Sequence, residues 1–360
     1  MSALKLKINY RSANGFTLAI DTEIRAQGVT ALFGPSGSGK TTVLNCIAGL
    51  RHDIESADIR FGEQIWQQGP SSTAPWEREL GYVFQDARLF PQLSVAGNLE
   101  YAAKRAVAPH FDRQQIIDWL EIGELLERSP TTLSAGQEQR VAIARALMRG
   151  PRLLLLDEPL ANLDHSAARQ CLSCLREVSR QTRLPMIYVS HQIEEVCAIA
   201  DQLVILQGGR IAAQGPMLEL AGRLDTELAT RDSAAALLRA SVASRDDHYA
   251  LTEFQVDGQS LWIGNEGTTG ALQRLRIPAR DVSVCREPPQ QSSILNVLTV
   301  TLAERRDLSA SHCLLRLQLA EQFLLARITR RSFDELQLNM GDRLYAQIKS
   351  TALLGDQVAH

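Results

Sequence analysis

Gly28-Val29-Thr30-Ala31-Leu32-Phe33, running on into Gly34-Pro35-Ser36-Gly37-Ser38-Gly39-Lys40-Thr41, is the stretch on which the fold turns. An apolar run of strand length feeds a glycine-rich loop, and Thr41 to Leu50 continues with a helical pattern. Strand, glycine loop and helix is the context that a phosphate loop of the form Gly-x4-Gly-Lys-Thr requires. The glycines let backbone N–H groups turn inward onto phosphate oxygens. Lys40 has the reach for the β- and γ-phosphates, and the Thr41 hydroxyl can ligate a magnesium ion. Thr42 follows in the first turn of the helix, whose positive dipole end adds to the anion site.

Further along, Leu153-Leu154-Leu155-Leu156 reads as a buried strand ending in Asp157-Glu158-Pro159. Asp157 is placed to help hold Mg²⁺, and Glu158 to orient or deprotonate an attacking water. Additional strands are expected at Gly81–Phe84, Met186–Val189 and Gln202–Leu206, with helical stretches between several of them. That alternation predicts an α/β domain with a mostly parallel sheet and helices on both faces. Between the phosphate loop and the acidic strand stands Leu133-Ser134-Ala135-Gly136-Gln137. Ser134-x-x-Gln137 fits a capping box opening a helix Gln137–Met148, whose free N–H groups form an anion site.

The texture changes after about residue 225. Leu228–Ala243 is Ala-rich and reads as a helix; beyond Tyr249 come short strands and turns, at 261–263, 275–277, 297–302, 313–319, 323–328 and 344–348. These predict a small all-β barrel domain. At 360 residues two domains are the natural prior. The expected division is an ATP-binding domain over 1–230, a connecting helix and β segment over 231–287, and the β domain over 288–354.

The formal net charge of −3 argues against a nucleic-acid binder carried by bulk electrostatics. No apolar run approaches the ~20 residues needed to cross a bilayer, and the N-terminus alternates like a strand rather than a signal peptide. The six cysteines are scattered, as reduced cytosolic thiols are. Cys171-x-x-Cys174 invites a redox or zinc reading, but it falls inside an expected helix, Ser166 to Arg180, and no second Cys/His pair stands at zinc spacing.

Phosphate loop, Ser134–Gln137 turn and acidic strand end, in this order, resemble the ATP-binding-cassette family over roughly residues 1–225. The resemblance implies further roles. Gln85 resembles the glutamine that senses Mg²⁺ and water and touches the transmembrane partner. Ala161-Asn162-Leu163-Asp164 resembles the D-loop, and His191 the switch histidine at the γ-phosphate. Two cassettes would pair head to tail, with Ser134 and Gly136 serving the partner's nucleotide. Tyr10 is the candidate for stacking on adenine and Phe16 its rival. One position departs from the family: Ala135 stands where the first signature glycine is usual. At φ > 0 an alanine there costs about 1 kcal/mol; at negative φ it costs nothing.

Ser292–Leu298 together with Leu344–Ser350 resembles the Mop-type molybdate-binding module at the end of molybdate-importer ATPases. Tyr82–Pro91 and Arg276–Ser283 resemble the same subfamily. This implies an ATP-hydrolysing subunit of a molybdate importer, a homodimer at the cytoplasmic face of the inner membrane. It would dock on transmembrane permease subunits and be served indirectly by a periplasmic oxyanion-binding protein. Sulfate, tungstate or another solute as cargo, and a non-transport cassette or oxyanion sensor, stand as alternatives. In the C-terminal module Ser293, Asn296, Lys349 and Ser350 read equally as donors to a molybdate dianion or as turn caps on a barrel. The arginine that usually precedes the asparagine is here Leu295.

Overall fold

The computed structural model describes residues 3–106, 110–264, 269–349 and 354–355, and the chain divides into two compact units, Met1–Gly215 and Pro216–His360. The first unit runs β1 (Ala3–Arg11), β2 (Thr17–Arg25), β3 (Val29–Phe33), α1 (Lys40–Ala48), β4 (Ile54–Phe61), β5 (Gln64–Gln68), β6 (Ser71–Ser72) and β7 (Leu80–Val83). It continues with α2 (Val95–Ala103), α3 (Arg113–Trp119), α4 (Ala135–Leu147), β8 (Leu153–Asp157), α5 (His165–Thr182), β9 (Met186–Ser190), α6 (Ile193–Ile199), β10 (Gln202–Gln207) and β11 (Arg210–Pro216).

Two sheets form this unit. β3, β7, β8, β9 and β10 pair in parallel within a six-stranded sheet of order β11-β10-β3-β9-β8-β7. β1, β2 and β4–β6 form an antiparallel sheet in which Leu4, Leu6, Ile8 and Tyr10 alternate inward along β1. The central strands β3, β8 and β9 are buried at every position, as expected of parallel strands covered on both faces. Strand periodicity sorts β8 between two cores. Leu153 and Leu155 pack with the antiparallel sheet, and Leu154 and Leu156 pack with α2–α5. The carboxyl ends of the parallel strands carry the phosphate loop, Asp157–Glu158 and His191, the edge at which open α/β sheets bind ligands.

Arg78 anchors the far end of α1. It is fully buried, and its guanidinium donates to the carbonyls of Cys46 and Ile47 at the helix C-terminus and to that of Trp66. Burial pushes its pKa down to about 10, and the negative helix end offsets the cost of a buried cation.

The second unit contains α7 (Met217–Ala221), α8 (Glu227–Thr230), β12 (Ala235–Asp246), β13 (Leu251–Val256), β14 (Gln259–Ile263), β15 (Leu272–Pro278), β16 (Val282–Cys285), β17 (Asn296–Asp307), β18 (His312–Leu319), β19 (Gln322–Thr329), α9 (Arg330–Glu335), β20 (Arg343–Ile348) and β21 (Leu354–Gly355). Two antiparallel sheets, β14-β13-β12-β15-β21 and β16-β20-β17-β18-β19, enclose one core and curl into a half-barrel.

The Ala-rich stretch 228–243 corrects the sequence expectation. Only Glu227–Thr230 is helical, and Ala235 onward is β12, paired on both sides by β13 and β15. Ala236, Leu238, Ala240 and Val242 alternate into the core. Helix propensity is a weak prior, and two flanking ladders with a period-2 apolar face override it.

The two sheets are clipped together by side-chain amides. Asn296 on β17 accepts from the Trp262 N–H at 2.6 Å and donates to the Trp262 carbonyl at 2.9 Å. Gln259 on β14 does the same in return for Thr299, at 2.7 and 3.0 Å. Gln322 repeats the device on Arg239. Each amide presents an acceptor and a donor side by side, so it satisfies an edge residue as a neighbouring strand would.

Candidate functional site

The phosphate loop spans the end of β3 and the start of α1. Gly39 is the N-cap of α1 at φ +103°, where an added Cβ would lie 2.8 Å from Leu18 and 3.0 Å from the Phe16 ring. Both backbone and space therefore demand glycine. Pro35, Ser36 and Gly37 are exposed at the tip, and Ser38 and Lys40 are buried beneath it. The Lys40 amine is folded back onto the carbonyls of Gly34 and Pro35, at 2.9 and 3.1 Å. Ser38 Oγ is buried with no hydrogen-bond partner. A buried hydroxyl without a partner beneath this glycine loop fits a phosphate oxygen as its missing acceptor.

Across the loop, β8 delivers the acidic pair. Asp157 is nearly buried and accepts from the Thr41 hydroxyl at 2.9 Å and from the Tyr82 hydroxyl at 3.1 Å. Burial pushes the Asp157 pKa up, while the two hydroxyl donors pull it down. Glu158 holds φ +45°, a left-handed conformation that is uncommon for a non-glycine residue and costs of order 1 kcal/mol. This turn aims its carboxylate back at the loop. One oxygen lies 3.9 Å from the Lys40 amine, and the other is 3.1 Å from His191 Nδ1. β9 ends at Ser190, and the Glu195 carboxylate accepts from both Ser190 and the buried Tyr188 hydroxyl, which pins the turn that presents His191. Lys40, Thr41, Asp157, Glu158 and His191 are thus one cluster. The oxygen donors Thr41 and Asp157 are the hard ligands that Mg²⁺ takes when it keeps waters and phosphate oxygens for its other positions. Gln85 is exposed just beyond β7, and the structure does not bond it to the cluster.

The signature turn forms a second centre. Ser134 is the N-cap of α4 in a full capping box with Gln137, its Oγ accepting from the Gln137 N–H and its own N–H donating to the Gln137 side chain. Ala135 occupies the first turn of α4 and is absent from the positive-φ residues, so its departure from glycine carries no strain. Gly136 is needed for a different reason, because a Cβ there would lie 2.8 Å from that of Ala167. Asp164 caps α5, accepting from Ser166 and Ala167 N–H, both at 2.9 Å. Signature and D-loop therefore meet where α4 and α5 begin.

Tyr10 does not offer a stacking face. It is 4 % exposed, its hydroxyl accepts from Arg51 at 2.9 Å, and the same guanidinium covers its ring at 4.8 Å. Phe16 is half-buried against Gly39 of the phosphate loop. Alternation along β1 turned Tyr10 inward, and only the tertiary contacts reveal it. The Asn296 side chain is likewise engaged with Trp262, through its oxygen and one of its two N–H groups. Ser293 and Lys349 are exposed, and Ser350 lies outside the described residues.

Sequence reading passed over Asn45 and the Tyr82 hydroxyl. Asn45 stands four residues after Thr41, which on a helix is the same face, and that spacing was the available signal. It also passed over a groove of about 730 Å³ on the first unit. Trp76, Phe84, Phe90 and Tyr101 line it, with Trp76 70 % exposed. Arg88, Arg105, Arg145 and Arg149 complete the wall, and among the described residues no carboxylate lines it.

The ABC transporter family pattern matches residues 18–161, and that of the TOBE domain matches residues 292–354. The chain is 45 % identical over 347 residues to the Molybdenum import ATP-binding protein ModC of Pseudomonas syringae pv. tomato (strain ATCC BAA-871 / DC3000), covering 94 % of this chain and 96 % of that one. It is 44 % identical over 347 residues to the Molybdenum import ATP-binding protein ModC 1 of Azotobacter vinelandii, covering 95 % and 96 %. Among solved structures it resembles cbiO1 from Clostridium perfringens, part of the ABC transporter complex cbiONQ. The TM-score is 0.54 at 28 % identity, over 60 % of this chain and 89 % of that one.

Proposed function

Because the chain belongs to the ABC transporter ATP-binding family, among its molybdenum-import members, we propose that it is the ATP-hydrolysing subunit of a molybdate importer. The observation that carries the chemistry is the convergence of Lys40, Thr41, Asp157, Glu158 and His191 at the carboxyl ends of three neighbouring strands. No helix among the described residues is long and apolar enough to cross a membrane, so transport needs spanning partners.

Loop amides, the Ser38 hydroxyl and the start of α1 bind the phosphates of ATP. Lys40 exchanges its two carbonyl contacts for the β- and γ-phosphates. Thr41 and Asp157, joined by Gln85 if it moved in from its exposed position, would hold a magnesium ion, which would supply charge neutralisation on the transferring phosphoryl group. Glu158 orients the attacking water and takes its proton, and His191, donating from Nδ1, keeps that carboxylate in place. Phe16, half-buried beside Gly39, stacks on the adenine. Ser134 and Gly136 complete the site of a second copy paired head to tail, with Asp164 at the same junction. The aromatic, arginine-ringed groove suits a short apolar segment bearing acidic residues, and we assign it to the permease subunits at the cytoplasmic face of the inner membrane. A periplasmic oxyanion-binding protein feeds the permease from the other side.

Glu158→Gln tests the reading. It should retain ATP, trap the closed dimer, and lower steady-state hydrolysis by about 10²–10⁴-fold, the usual contribution of a positioned base. Undiminished turnover in this variant would remove Glu158 from its role. Uptake into vesicles carrying the assembled transporter, compared for molybdate, tungstate and sulfate, tests the cargo.

A further inference from the structure

Asp157 is held at both oxygens, by Thr41 on α1 and by Tyr82 on β7. Thr41 donates to Oδ1 at 2.9 Å. The Tyr82 hydroxyl reaches Oδ2 at 3.1 Å and lies 3.2 Å from the Asn45 side-chain amide. A phenol has one proton, and the carboxylate is the stronger acceptor. The Asn45 amide, whose oxygen and nitrogen exchange places by a half-turn, then gives an N–H to the phenol oxygen. Thr41 and Asn45 lie one turn apart on one face of α1, so a closed ring runs Thr41, Asp157, Tyr82, Asn45. The Tyr82 ring stacks on Phe84 at 4.2 Å and forms part of the groove wall.

We propose that Tyr82 is a positioning residue for the cation: its hydroxyl fixes the second oxygen of Asp157, so that the carboxylate cannot rotate away from the Thr41 hydroxyl. This rests on the reading of Thr41 and Asp157 as metal-holding groups. Tyr82→Phe isolates the hydroxyl, because the ring, its stacking on Phe84 and the shape of the groove are all retained.

The test uses the full-length protein and Mn²⁺ as the probe. Free manganese is followed by its electron paramagnetic resonance signal in the presence of ATP, and ATP affinity is measured separately in EDTA. Loss of a donor that orients a metal ligand weakens metal binding by about tenfold or more. Tyr82→Phe should raise the Mn²⁺ half-saturation by that factor while leaving ATP affinity in EDTA unchanged. Asn45→Ala, which acts on Asp157 only through Tyr82, should shift Mn²⁺ binding in the same direction by a smaller factor. Thr41→Ala is the control. If it leaves Mn²⁺ binding intact, the reading of the metal site itself fails. If Thr41→Ala abolishes Mn²⁺ binding while Tyr82→Phe leaves it within twofold of the parent, Tyr82 has no positioning role. An equal loss of ATP affinity in EDTA for Tyr82→Phe would show a packing effect and overturn the proposal as well.

Discussion

Asn296→Ala separates the two readings of the C-terminal unit. The Asn296 side chain is fully buried and pairs both backbone groups of Trp262 on edge strand β14. Alanine leaves one N–H and one C=O without partners at the seam between sheets. An unsatisfied buried polar group costs about 1–3 kcal/mol, so the pair costs about 2–5 kcal/mol once water reaching the half-buried Trp262 backbone is allowed for. In a unit of this size that is roughly 6–20 °C of melting temperature. Differential scanning calorimetry is the assay, because the two units have separate cores and the loss should fall on one transition. Asn296→Asp sharpens the result. Its oxygen can still accept from Trp262 N–H, but an ionised carboxylate cannot donate to the carbonyl. It should therefore be the worse substitution at pH 7 and recover as acid protonates it. A change below about 1 kcal/mol for Asn296→Ala, accompanied by loss of an oxyanion response, would refute the clip and restore the ligand-donor reading.

Gly136→Ala should lower ATPase activity and stability by about 1–3 kcal/mol of overpacking against Ala167. If the clash inside the subunit is the reason, the double variant Gly136→Ala/Ala167→Gly regains both. A double variant that folds well and stays inactive would place the glycine's role on the partner's nucleotide alone. Phe16→Ala should weaken ATP binding by about 1–3 kcal/mol, the usual worth of aromatic–base stacking, whereas Tyr10→Phe, which removes only the hydroxyl that accepts from Arg51, should leave it unchanged in a fluorescent-nucleotide titration. Burial pushes the thiols of Cys46 and Cys171 up to about 12 and that of Cys174 to about 11. A raised pKa keeps the thiol form at pH 8, so iodoacetamide should label half-buried Cys285 first, with those three reacting only on unfolding, as mass spectrometry would show.

The clustered set Lys40, Thr41, Asp157, Glu158 and His191 was legible because each member is announced by its immediate neighbours. Lys40 and Thr41 follow a glycine loop between strand and helix. Asp157 and Glu158 close an apolar run, and His191 follows another. Strand and helix periods are local, so the parallel sheet and its carboxyl-end site came with them. The capping box at Ser134–Gln137 was legible on the same grounds, since both partners lie within one turn. Local reading failed at 228–243, where alanines favour a helix in isolation but two ladders supplied by distant strands make β12.

Order and chemistry of the motifs were thus determined by the sequence itself, because the residues that define each motif are adjacent in the chain. Which side chains are left free to act was decided only by the tertiary structure. Arg51 closes the face of Tyr10, and Trp262 occupies the amide of Asn296. Tyr82 reaches Asp157 from seventy-five positions away. A hydrogen bond or a stacked face depends on what packs against it, and packing brings together residues whose separation along the chain carries no signal.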